Sequence, residues 1–102
     1  MDTDLLNSIK TYAKAVIGLT TDARDVYLDS IIKGVYTDIT DKGVAVSDSL
    51  KDSIVSYIGD FVAWNYRTQG GSDTMPRTFE YRLHNLVLAS MRTNNDDYKS
   101  VY

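Results

Sequence analysis

Cysteine is absent from these 102 residues. Its absence removes disulfide frameworks and thiolate metal sites, and it is consistent with a reducing cytosol. Histidine occurs once, as His84, too few for the usual zinc ligand sets. Proline also occurs once, as Pro76, and no Pro- or Ser-rich linker divides the chain. No apolar run approaches the roughly 20 residues of a membrane span, and the N-terminus lacks the basic-then-apolar plan of an export leader. A membrane role is therefore not expected. The usual chemical motifs are missing as well. Gly70-Gly71 has no following Lys-Ser/Thr for a phosphate loop, and Asp38-Ile39-Thr40-Asp41-Lys42-Gly43 lacks the alternating oxygen ligands and closing Glu of a calcium loop. His84 lies four residues after Glu80, a spacing that makes an ordinary surface helix pair rather than an acid–base dyad. Neither an enzyme nor a cofactor site is expected.

What is present is the composition of an ordinary globular domain, 43% apolar and 25% charged. At this length it makes one domain with a modest core. Apolar residues recur at i, i+3 and i+4 in four segments, which predicts an all-α bundle of four helices. Leu5, Ile9, Tyr12, Ala13, Val16 and Ile17 stripe a helix over 3–17, with Lys10 and Lys14 expected in water and Gly18 as its left-handed stop. A second helix is expected from Asp22 to about Ile39, capped by Thr20 or Thr21, with Gly34 marking a close approach by a neighbour. After an extended piece at Val44-Ala45-Val46, Ser47 caps a helix over 48–67, in which Gly59 again suggests close packing. Pro76 opens the last helix, 76–92. The third and fourth helices flank the turn Gln69-Gly70-Gly71-Ser72-Asp73. They are read as a central antiparallel hairpin with Ile54, Phe61 and Leu83 buried between them. Residues 93–102 show no periodicity and read as a flexible tail on a domain of 1–92.

Charge is unevenly spread. Residues 1–60 hold ten Asp against six Lys or Arg, whereas 61–95 hold four Arg against Asp73 and Glu80. Acidic front and basic back suit a contact between copies. The overall negative charge disfavours strong duplex binding, and a helix-turn-helix reading fails because Asp22, Asp25 and Asp29 would face phosphates. Eight tyrosines point instead to interaction surfaces. On the fourth helix Arg77, Tyr81, His84, Leu88 and Arg92 form a second stripe, either a solvated face or a subunit contact.

The order of parts resembles the small head–tail connector (head-completion, adaptor) proteins of long-tailed bacteriophages. The resemblance rests on Leu5-Leu6-Asn7-Ser8-Ile9-Lys10 leading through Leu19-Thr20-Thr21-Asp22 into a long helix. It continues in Phe61-Val62-Ala63-Trp64-Asn65-Tyr66-Arg67, Gly70-Gly71-Ser72, Met75-Pro76 and Ser90-Met91-Arg92. Here Tyr66 separates the Asn and Arg that the family more often places side by side. The resemblance implies a virion protein of the head–tail junction, assembled in the bacterial cytoplasm as a homo-oligomeric ring of about twelve copies. Its partners would be the portal protein above and the next connector, stopper or tail protein below, with DNA passing through the channel without specific binding. A small helical regulatory or DNA-binding protein is the alternative. Under the connector reading, Asp22, Asp25 and Asp29 of one copy are expected to meet Arg77, Tyr81, Leu88 and Arg92 of the next. Asn65 and Arg67 either satisfy unpaired carbonyls where the third helix ends and fix the Gly70-Gly71 loop or, through Arg67, reach Asp22 or Asp25 of the neighbour. Tyr98, Val101 and Tyr102 are expected to anchor the tail on the portal or between subunits.

Overall fold

The computed structural model describes residues 1–68 and 74–99, with 93–99 described by their backbone alone. Among them are four α-helices: α1 (Thr3–Ile17), α2 (Asp25–Asp41), α3 (Lys51–Arg67) and α4 (Arg77–Lys99). A single 3₁₀ turn, Asp48–Leu50, leads into α3. None of the described residues lies in a β-strand. The Gly-rich turn at 69–73 lies outside the described residues.

The ends of α1 follow from local chemistry. The Asp2 carboxylate accepts from the Asp4 N–H at 3.4 Å, satisfying one of the unpaired donors of the first turn. Gly18 takes φ 89°, which a side chain would resist, and the Gly18 and Leu19 N–H groups both donate to the Lys14 carbonyl. The start of α2 departs from expectation. It begins at Asp25 rather than Asp22, with Arg24 at its N-cap and no side-chain cap from Thr20 or Thr21. The chain must first reverse direction, and Asp22 gives its carboxylate to Lys14 while its carbonyl accepts the Asp25 N–H. At the other end of the chain α4 continues seven residues beyond Arg92. Residues 93–99 contain neither Gly nor Pro, so nothing in the backbone stops the helix even though the apolar stripe has ended.

Helix α3 is the hub. Ile54, Ile58 and Val62 are fully buried in one cluster with Ile9, Leu28, Ile32 and Ile39, so α1, α2 and α3 all contribute to its centre. α3 and α4 form the expected antiparallel pair. Phe79 near the start of α4 packs on Tyr57, Phe61 and Trp64, with ring centroids 5.5–6.1 Å apart, while Leu50 and Leu86 share a pocket farther along. Yet the largest interface of α3 is with α1. The two run in the same direction, because Leu5 lies beside Lys51, Tyr12 beside Gly59 and Asp60, and Val16 beside Arg67. Phe61 and Leu83 are only partly buried, leaving Ile54 as the fully enclosed member of the expected hairpin core.

The two mid-helix glycines separate. Gly59 is buried, and a Cβ there would overlap the Tyr12 ring, so the close approach read from the sequence is present. Gly34 is exposed and a Cβ would meet nothing within 4 Å, which corrects the expectation of a close neighbour. Its backbone is ordinary α-helix, so Gly34→Ala should stabilise the protein by about 0.5–1 kcal/mol. Urea unfolding checks this, and an unchanged or lower midpoint would mean that the position is not free.

Candidate functional site

Of the acidic residues proposed for a subunit contact, Asp25 and Asp29 lie on α2 facing α1, and Asp22 lies in the turn before it. Lys14 Nζ reaches Asp22 Oδ1 and Asp25 Oδ1, each at 2.9 Å, and Lys10 Nζ lies 3.1 Å from Asp29 Oδ1 and 3.8 Å from Asp25 Oδ2. Both lysines, expected in water, instead keep less than a fifth of their side-chain surface exposed. Their butyl stems pack along the helices while their ammonium groups close the row. Asp22 keeps 90% of its side chain exposed beside Lys14, whereas Asp25 and Asp29 are largely covered against the two lysines. These ion pairs fasten α1 to α2.

Arg67 donates from Nη2 to the Val16 carbonyl at 2.8 Å, capping one of the last unpaired acceptors of α1. Arg67 thus serves the end of α1, a role different from both weighed for it, the end of its own helix and an acid of a neighbouring copy. Asn65 is partly buried near the end of α3. The side chains of Tyr98, Val101 and Tyr102 lie outside the described residues.

A second cluster joins three helices and was not read from the sequence. The Tyr12 hydroxyl donates to Asp60 Oδ1 at 2.8 Å. Arg82 of α4 donates from Nη1 to Asp60 Oδ2 at 2.7 Å and from Nη2 to Ser56 Oγ at 3.2 Å. Its guanidinium also lies over the rings of Tyr57 and Phe79, 5.6 and 5.9 Å from their centroids. The available signal was Asp60 itself, a lone carboxylate inside the apolar run of α3, which needed partners from the helices on either side. A further tie holds the extended segment. Ser90 Oγ is buried, donates to the Leu86 carbonyl and accepts from the Ala45 N–H at 2.8 Å.

These contacts set a pH dependence. Hydrogen bonding to Asp60 raises the Tyr12 pKa above its usual value, burial raises that of Tyr57, and hydrogen bonding to Asp22 and then Asp25 raises that of Lys14. In each case the folded state holds its proton more tightly. Their stabilisation is complete below about pH 10 and is lost as pH rises through the folded values. Asp22 moves the other way, lowered by its bond to Lys14, so its contribution is present above roughly pH 4 and is lost as pH falls. Urea unfolding measured on either side of pH 10 should show stability falling, and Tyr12→Phe should fall less steeply. Equal slopes for the two proteins would remove Tyr12 from this account.

The outer side of α4 carries the other predicted residues. Arg77, Tyr81, His84, Leu88 and Arg92 are all exposed on one face, with Met91 beside them. Tyr81 is 65% exposed, Met91 54% and Leu88 37%, so the face offers a run of large apolar groups between two arginines. On the inner side, a groove of about 450 Å³ lies between α2, α3 and α4, floored by Tyr57, Phe61, Phe79 and Leu83. Asp38, Lys42, Glu80 and His84 also line it, and Lys42 pairs with Asp38 at 3.0 Å. Among the described residues no three His, Cys, Asp or Glu side chains converge as metal ligands, and no helix is long and apolar enough to cross a membrane. In comparisons with known proteins, no family model, no curated protein and no solved structure matches this chain.

Proposed function

We propose that this chain is a structural adaptor of the head–tail junction of a tailed bacteriophage. In this reading it forms a ring beneath the portal, extends the DNA channel and presents a surface to the next connector, stopper or tail protein. It works by contact, without chemistry or a cofactor of its own, and is carried in the virion. The supporting observation is the outer face of α4, where Tyr81, Leu88 and Met91 stand exposed between Arg77 and Arg92 on a helix braced from behind. The brace consists of Arg82 on Asp60 and Ser90 on Ala45, so the face is presented rigidly. Aromatic, Met and Arg side chains are the ones that interfaces favour. The phage context comes from the resemblance of the sequence's order of parts to the connector proteins. Net negative charge also suits a channel component, because DNA then slides past without sticking.

The test is density-gradient co-sedimentation of the purified chain with the portal ring of the same genome, followed by electron microscopy. A ring of this protein added to one face of the portal is the expected result. A well-folded chain that ignores the portal but binds duplex DNA with a steep salt dependence would replace this reading with that of a small DNA-binding protein.

A further inference from the structure

The outer side of α4 has the spacing of a helix–helix seam. Tyr81, His84, Leu88, Met91, Asn95 and Tyr98 stand alternately three and four positions apart, all within Arg77–Lys99. That alternation keeps positions on one line along a helix, the pattern by which two helices pack against each other. The first four residues are exposed, and the helical backbone carries the same register through positions 95 and 98. The chain is also more open than its size requires. It exposes 6540 Å², whereas a folded monomer of this mass exposes roughly 5,800 Å². Its radius of gyration is 14.7 Å, against about 13 Å for a compact chain of this length. The excess of about 700 Å² is close to the roughly 800 Å² that each partner loses in a standard interface.

We propose that this seam pairs antiparallel with the same seam of a second copy, making a two-fold symmetric dimer. Position 98 of each copy then stands opposite Tyr81 of the other, position 95 opposite His84, and Met91 opposite Leu88. Each layer occurs twice, with the Leu88 and Met91 layers at the centre. A parallel pair would set Arg77 beside Arg77 and His84 beside His84. The antiparallel pair keeps the arginines far apart and opposes the two helix dipoles. A second copy is the occupant because the seam matches itself layer by layer and the excess area is of dimer size. The same face is offered to a partner in the head–tail reading, so the dimer covers it in the free protein and opens before docking. The dimer itself does not rest on that reading.

Sedimentation velocity over a concentration series should show monomer and dimer in exchange. The dimer should persist at high salt, because its central layers are apolar. Leu88→Glu with Met91→Glu should weaken association about tenfold or more, since carboxylates from both copies would then be buried together. Circular dichroism should show unchanged helicity, because both side chains are exposed. Crosslinking reads the direction of pairing, with no native cysteine to interfere. Tyr81→Cys and Tyr98→Cys alter positions about 25 Å apart along the helix. Under oxidation a mixture of these two variants should form a mixed disulfide dimer, and neither variant should form one alone. A monomeric wild type, undiminished association of the double variant, or a disulfide dimer within either single variant would overturn the proposal. Portal co-sedimentation is a separate readout. A chain that passes these tests without binding the portal keeps this interface and loses the adaptor function, and a monomer that binds the portal does the reverse.

Discussion

Ile58→Ala should be among the most damaging single truncations, costing about 2–5 kcal/mol, whereas Phe61→Ala should cost roughly half as much. Ile58 is fully buried at the centre of the cluster that α1, α2 and α3 share. Removing three of its carbons leaves a cavity that helices fixed by other contacts cannot fill. Phe61 keeps part of its ring on the groove beside α4 and touches mainly other aromatics, so less of its surface leaves water on folding. For a domain of this size each kcal/mol moves the melting temperature by roughly 4–8 °C, so the loss at Ile58 should be obvious in a thermal melt. The comparison discriminates between two pictures of the core. A hairpin of α3 and α4 at the centre makes Phe61 the more sensitive position, and a core centred on α1, α2 and α3 makes it Ile58. A larger loss at Phe61 would return the hairpin to the centre.

The two pictures differ because periodicity reports which side of a helix is buried and not what it is buried against. The spacing of Leu50, Ile54, Tyr57, Ile58, Phe61, Val62 and Asn65 put them on one face of the third helix, and all are buried except Phe61 and Asn65, which are partly so. Also legible were the span of α1, the cap at Gly18 and the antiparallel pairing of α3 with α4. The parallel course of α1 beside α3 was not, since no property of two separated helices fixes their relative direction. The Lys10 and Lys14 ion pairs escaped for a related reason. A lysine between apolar positions looks solvated until a neighbouring helix places carboxylates beside it, and Asp25 and Asp29 become that neighbour only once the turn at 18–24 has folded α2 back.

The candidate site was legible in the same uneven way. Tyr81, Leu88 and Arg92 could be placed on one exposed face of α4 from spacing alone, because a surface stripe depends on the helix and not on its partner. The cluster of Tyr12, Asp60 and Arg82 could not, because its members stand on three helices and only the packing of α1 and α4 against α3 unites them. The sequence showed that the charge was divided, but not that Asp25 and Asp29 are engaged by Lys10 and Lys14 of the same chain.

Gly59→Ala carries the second large effect, and it tests that parallel packing directly. The backbone of α3 passes so close to the Tyr12 ring that a single added methyl would overlap it, with Tyr12 Cε1 at 2.8 Å and Cγ at 3.3 Å. Relief by swinging the ring aside is resisted, because its hydroxyl is bonded to Asp60, which Arg82 holds in turn. Either the ring moves and that bond is lost, or α1 shifts outward along its largest interface. Overpacking of this kind costs about 1–3 kcal/mol and outweighs the gain of about 1 kcal/mol that alanine brings to a helix interior. The sign is therefore opposite to that expected at Gly34, although both glycines sit in mid-helix. A double-mutant cycle assigns the cause. Tyr12→Ala alone should destabilise by removing the ring and its hydrogen bond. Adding Gly59→Ala should then cost nothing further or recover a few tenths of a kcal/mol, because the added methyl enters space the ring has vacated. The measured coupling should reach about 1–2 kcal/mol, against the few tenths typical of independent sites. Additive losses would mean that the methyl collides with something other than Tyr12, and α1 would not lie where Gly59 admits it.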